Sequence, residues 1–421
     1  MDYPPSALAS AVAPTARKPG QLTAPQKAVV CAMIALVGLD DSAMGSNLTA
    51  MQSFYGVSFD KISLVFLANT AGYFLAASTS SFISHHMGLQ WLLAIAAVST
   101  ISGSLGLALA PPFPVFIFTL VLAGYGNGVY DVGLTAVISH ADDGSLMSLI
   151  YAMFGVGALT SPLVVGALID RGIAWNYFFY MPMAVSALLF LPGVYFFRSY
   201  ESPADESASE REHPSSASSH RRPGVVQRMQ RALRLRAVWA GFLLIIVSFS
   251  TANILSGWII AFMTRNRHAD EAASRFMLAG LWAGIALGRI TLAYFLGRRM
   301  RDRHFAQLVL AFVCGCLSNI WAVSNVPTDA VFMAFCGFFL GPVTPKTLSA
   351  ISSRLPPSLK STVMALTIGL GMIGSALGPL FFGFAVDKGY LSSLPGVLIV
   401  LSIVGAAGWL IMPSQNTRSS A

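Results

Sequence analysis

Charge is what this chain has least of. Only 10% of its 421 residues are charged, while 55% are hydrophobic. A soluble globular chain carries about 25% charged residues. The deficit is uneven: charges sit in short stretches, and runs of about 20 apolar residues lie between them, the length a helix needs to cross a bilayer core. Most of these runs lack the polar face that a water-exposed helix requires. Catalytic signatures are missing as well. There is no G-x-x-x-x-G-K phosphate loop, no H-E-x-x-H and no G-x-S-x-G. No enzyme is expected, no cofactor is implied, and any work done must draw on a gradient rather than on ATP. Cysteine is scarce too. Cys31, Cys314, Cys316 and Cys336 all fall in apolar runs, and Cys314-Gly-Cys316 lacks a metal-ligand spacing. They read as small buried apolar residues, with no disulfide and no zinc site.

The net charge of +8 raises nucleic acid as a partner. Arginines in loops at a membrane surface explain it better, so nucleic acid is not expected. Residues 1–26, rich in Pro, Ala and Ser, show no cleavable signal-peptide pattern and read as a disordered tail. Apolar segments follow at 28–51, 62–84, 90–110, 113–138, 146–168 and 175–197. The stretch 198–236 is a polar linker with little to bury. Its end carries Arg228, Arg231, Arg234 and Arg236, which suit either a basic amphipathic helix on the membrane or a solvated terminus. Six more apolar segments lie at 237–262, 272–296, 304–323, 328–352, 361–385 and 391–412. The expected organisation is a bundle over 27–197, the linker 198–236, a second bundle over 237–412 and a tail over 413–421.

The two halves repeat. SPLVVGALIDRG (161–172) aligns without gaps on GPLFFGFAVDKG (378–389), matching Pro162 with Pro379, Gly166 with Gly383 and Gly172 with Gly389. A weaker match pairs AGYGNG (123–128) with CGFFLG (336–341). Repeats in the same sense are the pattern of two parallel six-helix halves. With an N-terminus in the cytosol, 18 of the 26 Lys and Arg fall on the cytosolic side and six outside. That bias predicts both termini inside.

Ionisable groups inside spans are costly, about 2.5–3.5 kcal/mol each on insertion scales, so they are the first functional candidates. Asp40 and Asp41 lie mid-segment. Adjacent helical residues point ~100° apart, so one is expected to face the central path and the other a neighbouring helix. A carboxylate held where water is scarce can exchange protons near neutral pH, which is what proton coupling needs. Asp131, with Asn127 one turn before it and Tyr130 beside it, is either a second proton or substrate group or an interhelical hydrogen-bond partner. Lys346 follows GPVTP in the tenth segment. It either pairs with Asp131 as a gate or snorkels to the interface. Arg289, seven residues after Trp282, either binds an anionic group or holds a helix–helix ion pair. Asn253 and Trp258 are further cavity candidates. Asn47-Leu48-Thr49 fits a glycosylation acceptor but lies within a predicted helix.

These residues carry a family likeness. GLDDSAMGSNL (38–48), GYGNGVYDVG (124–133), FGVGALTSPL (154–163), WAGIALGR (282–289), GFFLGPVTPKTLSAISSRLP (337–356) and GLGMIGSALGPLFFGFAVDKG (369–389) resemble the major facilitator superfamily. Within it, the chain is most similar to the fucose-permease-like branch, including the fungal bypass-of-stop-codon type of permease. The resemblance implies an all-α membrane protein of twelve transmembrane helices in two six-helix bundles, working by alternating access. It implies coupling acids at Asp40 or Asp41 and at Asp131. It also implies motif glycines and prolines at Gly155, Gly157, Pro162, Gly288, Gly341, Pro342, Gly378 and Pro379. Two departures stand out. SSFISHHMGLQ (80–90) keeps Gly88 but lacks the acid and base of the usual G-x-L-x-D-R-x-G-R gating motif, whereas GRRMRDR (297–303) is better preserved. GVGALTSP (155–162) resembles the glycine-proline motif on helix 5 of proton antiporters, which also occurs in the fucose branch, so it does not decide direction.

The expected function is a proton-coupled secondary carrier of a small organic solute. Proton-antiport export of a metabolite or toxic compound is the alternative, and a non-transporting receptor or scaffold a further one. The expected partners are the solute, protons and the lipid bilayer, with the chain acting as a monomer in the plasma membrane or an internal membrane.

Overall fold

A computed structural model of the chain describes residues 22–139, 144–198, 200, 233, 235–295, 299–355 and 357–413. The acidic stretch 140–143, nearly all of the 198–236 linker, residues 297–298 of the second gating loop and most of both tails lie outside the described residues. Twelve helices are long and apolar enough to cross a membrane. In chain order they are α1 (Ala24–Tyr55), α2 (Leu64–Met87), α3 (Leu89–Ala108), α4 (Phe113–Ser139), α5 (Gly144–Ile169) and α6 (Tyr180–Phe197). The second half holds α7 (Arg236–Asn266), α8 (Glu271–Phe295), α9 (Asp302–Ala322), α10 (Val326–Leu340, resuming as Val343–Ser353), α11 (Pro357–Asp387) and α12 (Leu394–Ile411). Among the described residues there is no strand. In hydrocarbon each segment must satisfy its own backbone, which a helix does internally. Large apolar side chains such as Leu188, Leu191, Phe118 and Phe82 stay exposed on the outer surface. Facing lipid, they need no protein cover.

Local chemistry sets several helix ends. Thr23 caps α1, its hydroxyl accepting from the Gln26 amide while the Gln26 side chain accepts from the Thr23 N–H, a reciprocal pair that satisfies two otherwise orphaned donors. Gln26 also donates to the Phe196 carbonyl at 2.8 Å and so ties the start of α1 to the end of α6. Segment 328–352, expected as one helix, is interrupted at Gly341–Pro342. Proline removes a backbone donor and its ring crowds the preceding turn.

Helix packing repeats with a shift of six. α1 packs on α5 as α7 packs on α11, α2 on α4 as α8 on α10, and α3 on α6 as α9 on α12. The halves meet through α5–α8, α2–α11 and α1–α7. Both sequence repeats are visible as matched contacts. In the weaker one, Gly124 abuts the Asn69 carbonyl of α2 and its counterpart Gly337 abuts the Leu281 carbonyl of α8. In the stronger one, Gly166 faces Arg275 at the start of α8 and Gly383 faces Ser63 at the start of α2, each glycine meeting the other half. Gly172 and Gly389 close these helices with φ of 71° and 89°, a region glycine enters without a Cβ penalty.

Glycine also sets the helix spacing. A Cβ on Gly157 would overlap the Ala35 carbonyl of α1, one on Gly288 the Phe338 carbonyl of α10, and one on Gly341 the Ile285 carbonyl of α8. Gly155 lies against Ala286 of α8, and Gly378 against Ser250 of α7. Pro162 and Pro379 sit inside α5 and α11. Gly288→Val should therefore lower the thermal unfolding midpoint in detergent, by an amount equivalent to about 1–3 kcal/mol or more. Gly315→Ala in α9, where a Cβ would meet nothing within 4 Å, should be neutral or stabilising by up to ~1 kcal/mol. Equal midpoints for the two variants would show that the glycine approaches do not set the packing.

Candidate functional site

The two adjacent acids of α1 diverge around the helix. Asp40 turns into its own half, 5% exposed, where its carboxylate accepts from the Asn127 amide of α4 at 2.9 Å. Asp41 turns to the seam between the halves. There it lines a pocket with Asn69 and Thr70 of α2, Asn253 and Ser256 of α7 and Ser375 of α11, walled on one side by Phe66. The polar groups thus come from four helices and from both halves. The pocket offers about 10 Å³ to the centre of a water-sized sphere, which is room for about one water. Any organic solute needs the halves to part further than this.

Asp131 lies a little over two turns before the end of α4 and bonds the Thr135 hydroxyl of its own helix. It interacts electrostatically with Asp41, and Tyr73 of α2 is influenced by Asp40, Asp41 and Asp131 together. Three carboxylates are therefore gathered in the N-terminal half around one phenol. Across the seam stands Arg289 of α8. Its guanidinium lies 5.6 Å from the centre of the Tyr151 ring of α5, and Tyr151 interacts electrostatically with both Asp131 and Arg289.

Several expected site residues take other places. Lys346 forms its ion pair with Asp302 at the start of α9, 2.9 Å away, and not with Asp131. Asp302 also holds Arg354 at 3.3 Å, and Arg354 in turn donates to the Pro413 carbonyl at 2.8 Å. These charges bind α9, α10 and the end of α12 within one half. The sequence left Lys346 either to Asp131 or to the interface, and the carboxylate at the head of α9 takes it instead. Arg289 has no ion-pair partner among the described residues; its Nε donates to the Gly341 carbonyl at a long 3.4 Å. Trp258 is fully buried, donates to the Pro379 carbonyl at 3.1 Å and packs between Phe59 and Phe382, away from the pocket. Trp282 packs edge-on against Phe154 of α5, with ring centres 6.0 Å apart. Tyr130 faces Ser186 of α6 at 3.4 Å inside its own half. Asn253 alone of the C-terminal cavity candidates lines the pocket.

Sequence reasoning passed over Asn69, Thr70, Tyr73, Ser256 and Ser375. Asn69 and Thr70 offered a usable signal, since an adjacent amide and hydroxyl inside an apolar span are uncommon. Serine is too frequent in membrane helices to stand out.

Opposite the end that carries the termini, the halves are packed shut. Gly45 abuts the Ser256 carbonyl, Gly257 abuts the Phe66 ring, and Arg265 donates to Gln52 at 3.1 Å while lying over Phe59.

A twelve-helix chain with matched halves and carboxylates at their seam has the architecture of a membrane carrier. The chain belongs to the Major Facilitator Superfamily, whose family model matches residues 30–379. It is an integral multi-pass membrane protein of a transporter family. Among its relatives is "Bypass of stop codon protein 6" of Saccharomyces cerevisiae, 21% identical over 408 residues, which cover 90% of this chain and 81% of that one. Its fold resembles the crystal structure of a D-xylose-proton symporter, with a TM-score of 0.73 at 14% identity over 93% of this chain and 98% of the other. The nucleoside transporter NupG is similar in fold, with a TM-score of 0.71 at 12% identity over 92% and 99% of the two chains.

The Asp40–Asn127 bond yields a test. Asn127→Leu leaves a buried carboxylate without its donor and should cost about 1–3 kcal/mol of stability. Asp40→Leu combined with Asn127→Leu removes both polar partners and should recover part of that loss. Thermal unfolding of the purified protein reads both. A double variant no more stable than Asn127→Leu would mean the bond is not what fixes α1 to α4.

Proposed function

We propose that the chain is a proton-coupled secondary transporter that moves a small organic solute by alternating access, with Asp41 as the principal proton-exchanging group. One observation carries the reading: Asp41 is the carboxylate that lines the polar pocket at the seam, where both halves contribute and water is scarce. A scaffold built on this fold would have no use for an ionisable group there, given its insertion cost. Asp131, in electrostatic reach of Asp41, is the second member of the coupling set. Asp40, bonded to Asn127, holds α1 against α4 and sets the direction in which Asp41 points. Proton coupling in the fold relative named a D-xylose-proton symporter supports the same assignment.

The excess of Lys and Arg at the end that carries the termini supports a cytosolic placement of that end. The packed opposite end is then the outer one, closed by α1–α7, α2–α11 and α5–α8 contacts. Loading from the cytosolic side or release into it follows from this arrangement, and separation of the outer contacts completes the cycle.

Purified protein in liposomes with an imposed pH gradient tests the reading. A broad solute panel should include members that drive solute-dependent proton flux. Asp41→Asn should abolish gradient-driven accumulation while leaving solute exchange in place. Normal accumulation by that variant would remove Asp41 from the coupling role.

A further inference from the structure

Among the described residues, Arg289 is a charge without a counter-charge. It lies within the α8 span, where a guanidinium costs about 2.5–3.5 kcal/mol to insert. A guanidinium has five N–H donors. Among the described residues one of them, at Nε, reaches an acceptor, the Gly341 carbonyl at 3.4 Å, beyond the usual N–H···O range of 2.7–3.2 Å. The Nη1 atom is buried with no hydrogen-bond partner at all. The Tyr151 ring offers cation–π attraction, which is a weak substitute for a carboxylate. Other internal cations of the chain are matched: Lys346 and Arg354 with Asp302, Arg275 with Glu271, Arg267 with Asp329.

Its position gives the unmatched charge a use. Arg289 hangs from the C-terminal half beside the break of α10 and reaches over a ring of the N-terminal half, so it borders the same seam as Asp41. Tyr151, which interacts electrostatically with both Asp131 and Arg289, is itself 40% exposed. The seam thus carries Asp41 on one wall and the planar fork of an under-satisfied guanidinium on the other. That fork matches a carboxylate in two parallel hydrogen bonds, which no neutral hydroxyl can replace.

We propose that Arg289 is the docking point for a negatively charged group of the transported solute, and that the solute class is organic acids. The proposal rests on the carrier reading above. The anion satisfies the orphaned guanidinium, and the proton that travels with it sits on the carboxylates of the facing wall, so the loaded seam approaches electrical neutrality before it closes.

The test uses the full chain in liposomes with a pH gradient and solutes that share a skeleton but differ in charge: gluconate, sorbitol and glucamine; mandelate, mandelamide and phenylethanolamine; succinate and succinamide. Proton flux should follow acids and not their neutral or cationic counterparts. For an acid that responds, Arg289→Gln should raise KM roughly 10- to 100-fold and erase the preference for acid over amide, while Arg289→Lys keeps part of it. Thermal unfolding of each variant checks that the fold persists, and loss of the charge preference is a readout that a purely structural arginine would not move. Flux driven by a neutral or cationic member, or an acid preference unchanged in Arg289→Gln, overturns the anion site and leaves the carrier reading standing. No flux with any member of the panel counts against the carrier reading itself and takes the anion site with it.

Discussion

Everything at the seam depends on helices approaching until backbone meets backbone. Where Gly45 lies on the Ser256 carbonyl across the seam, and Gly38 on the Phe154 carbonyl within the N-terminal half, no side chain intervenes. Without a hydrophobic drive between helices in lipid, such close packing is the main source of association. It also leaves a narrow space in which the few polar groups must answer one another. Asp40 finds Asn127, Lys346 finds Asp302, and the groups left over, Asp41 and Arg289, are those that border the seam. The division of labour among the charges is therefore a consequence of geometry.

Much of the fold was legible in the sequence because lipid enforces a simple rule on length and hydropathy. The twelve segments and the two internal repeats could be read directly, and the repeats reappear as matched glycine contacts in the two halves. The break of α10 was less visible, although Gly341–Pro342 carries the reason for it.

The site was only partly legible. The ~100° divergence of Asp40 and Asp41 follows from helix geometry alone, but which of them met the seam depended on where α4 and α7 lie. Lys346 was open either to Asp131 or to the interface, because a sequence does not give the lateral position of its helices. Trp258 was a cavity candidate, yet its bulk packs against Phe59 and Phe382, and Trp282 likewise packs against Phe154. Small hydroxyl and amide side chains line the pocket, and nothing in a single sequence distinguishes Ser256 or Ser375 from the many serines that bond their own helix.

The paired glycines Gly166 and Gly383 hold one more consequence. They occupy equivalent places, yet Gly383 meets the hydroxyl of Ser63 whereas Gly166 meets Arg275, a guanidinium 1% exposed with two nitrogens unsatisfied. Prising α5 from α8 at that end lets water reach a trapped cation, which lowers the work of separation; prising α2 from α11 wets an indole and a hydroxyl instead. The two edges of the contact between the halves therefore differ in what water meets when they part.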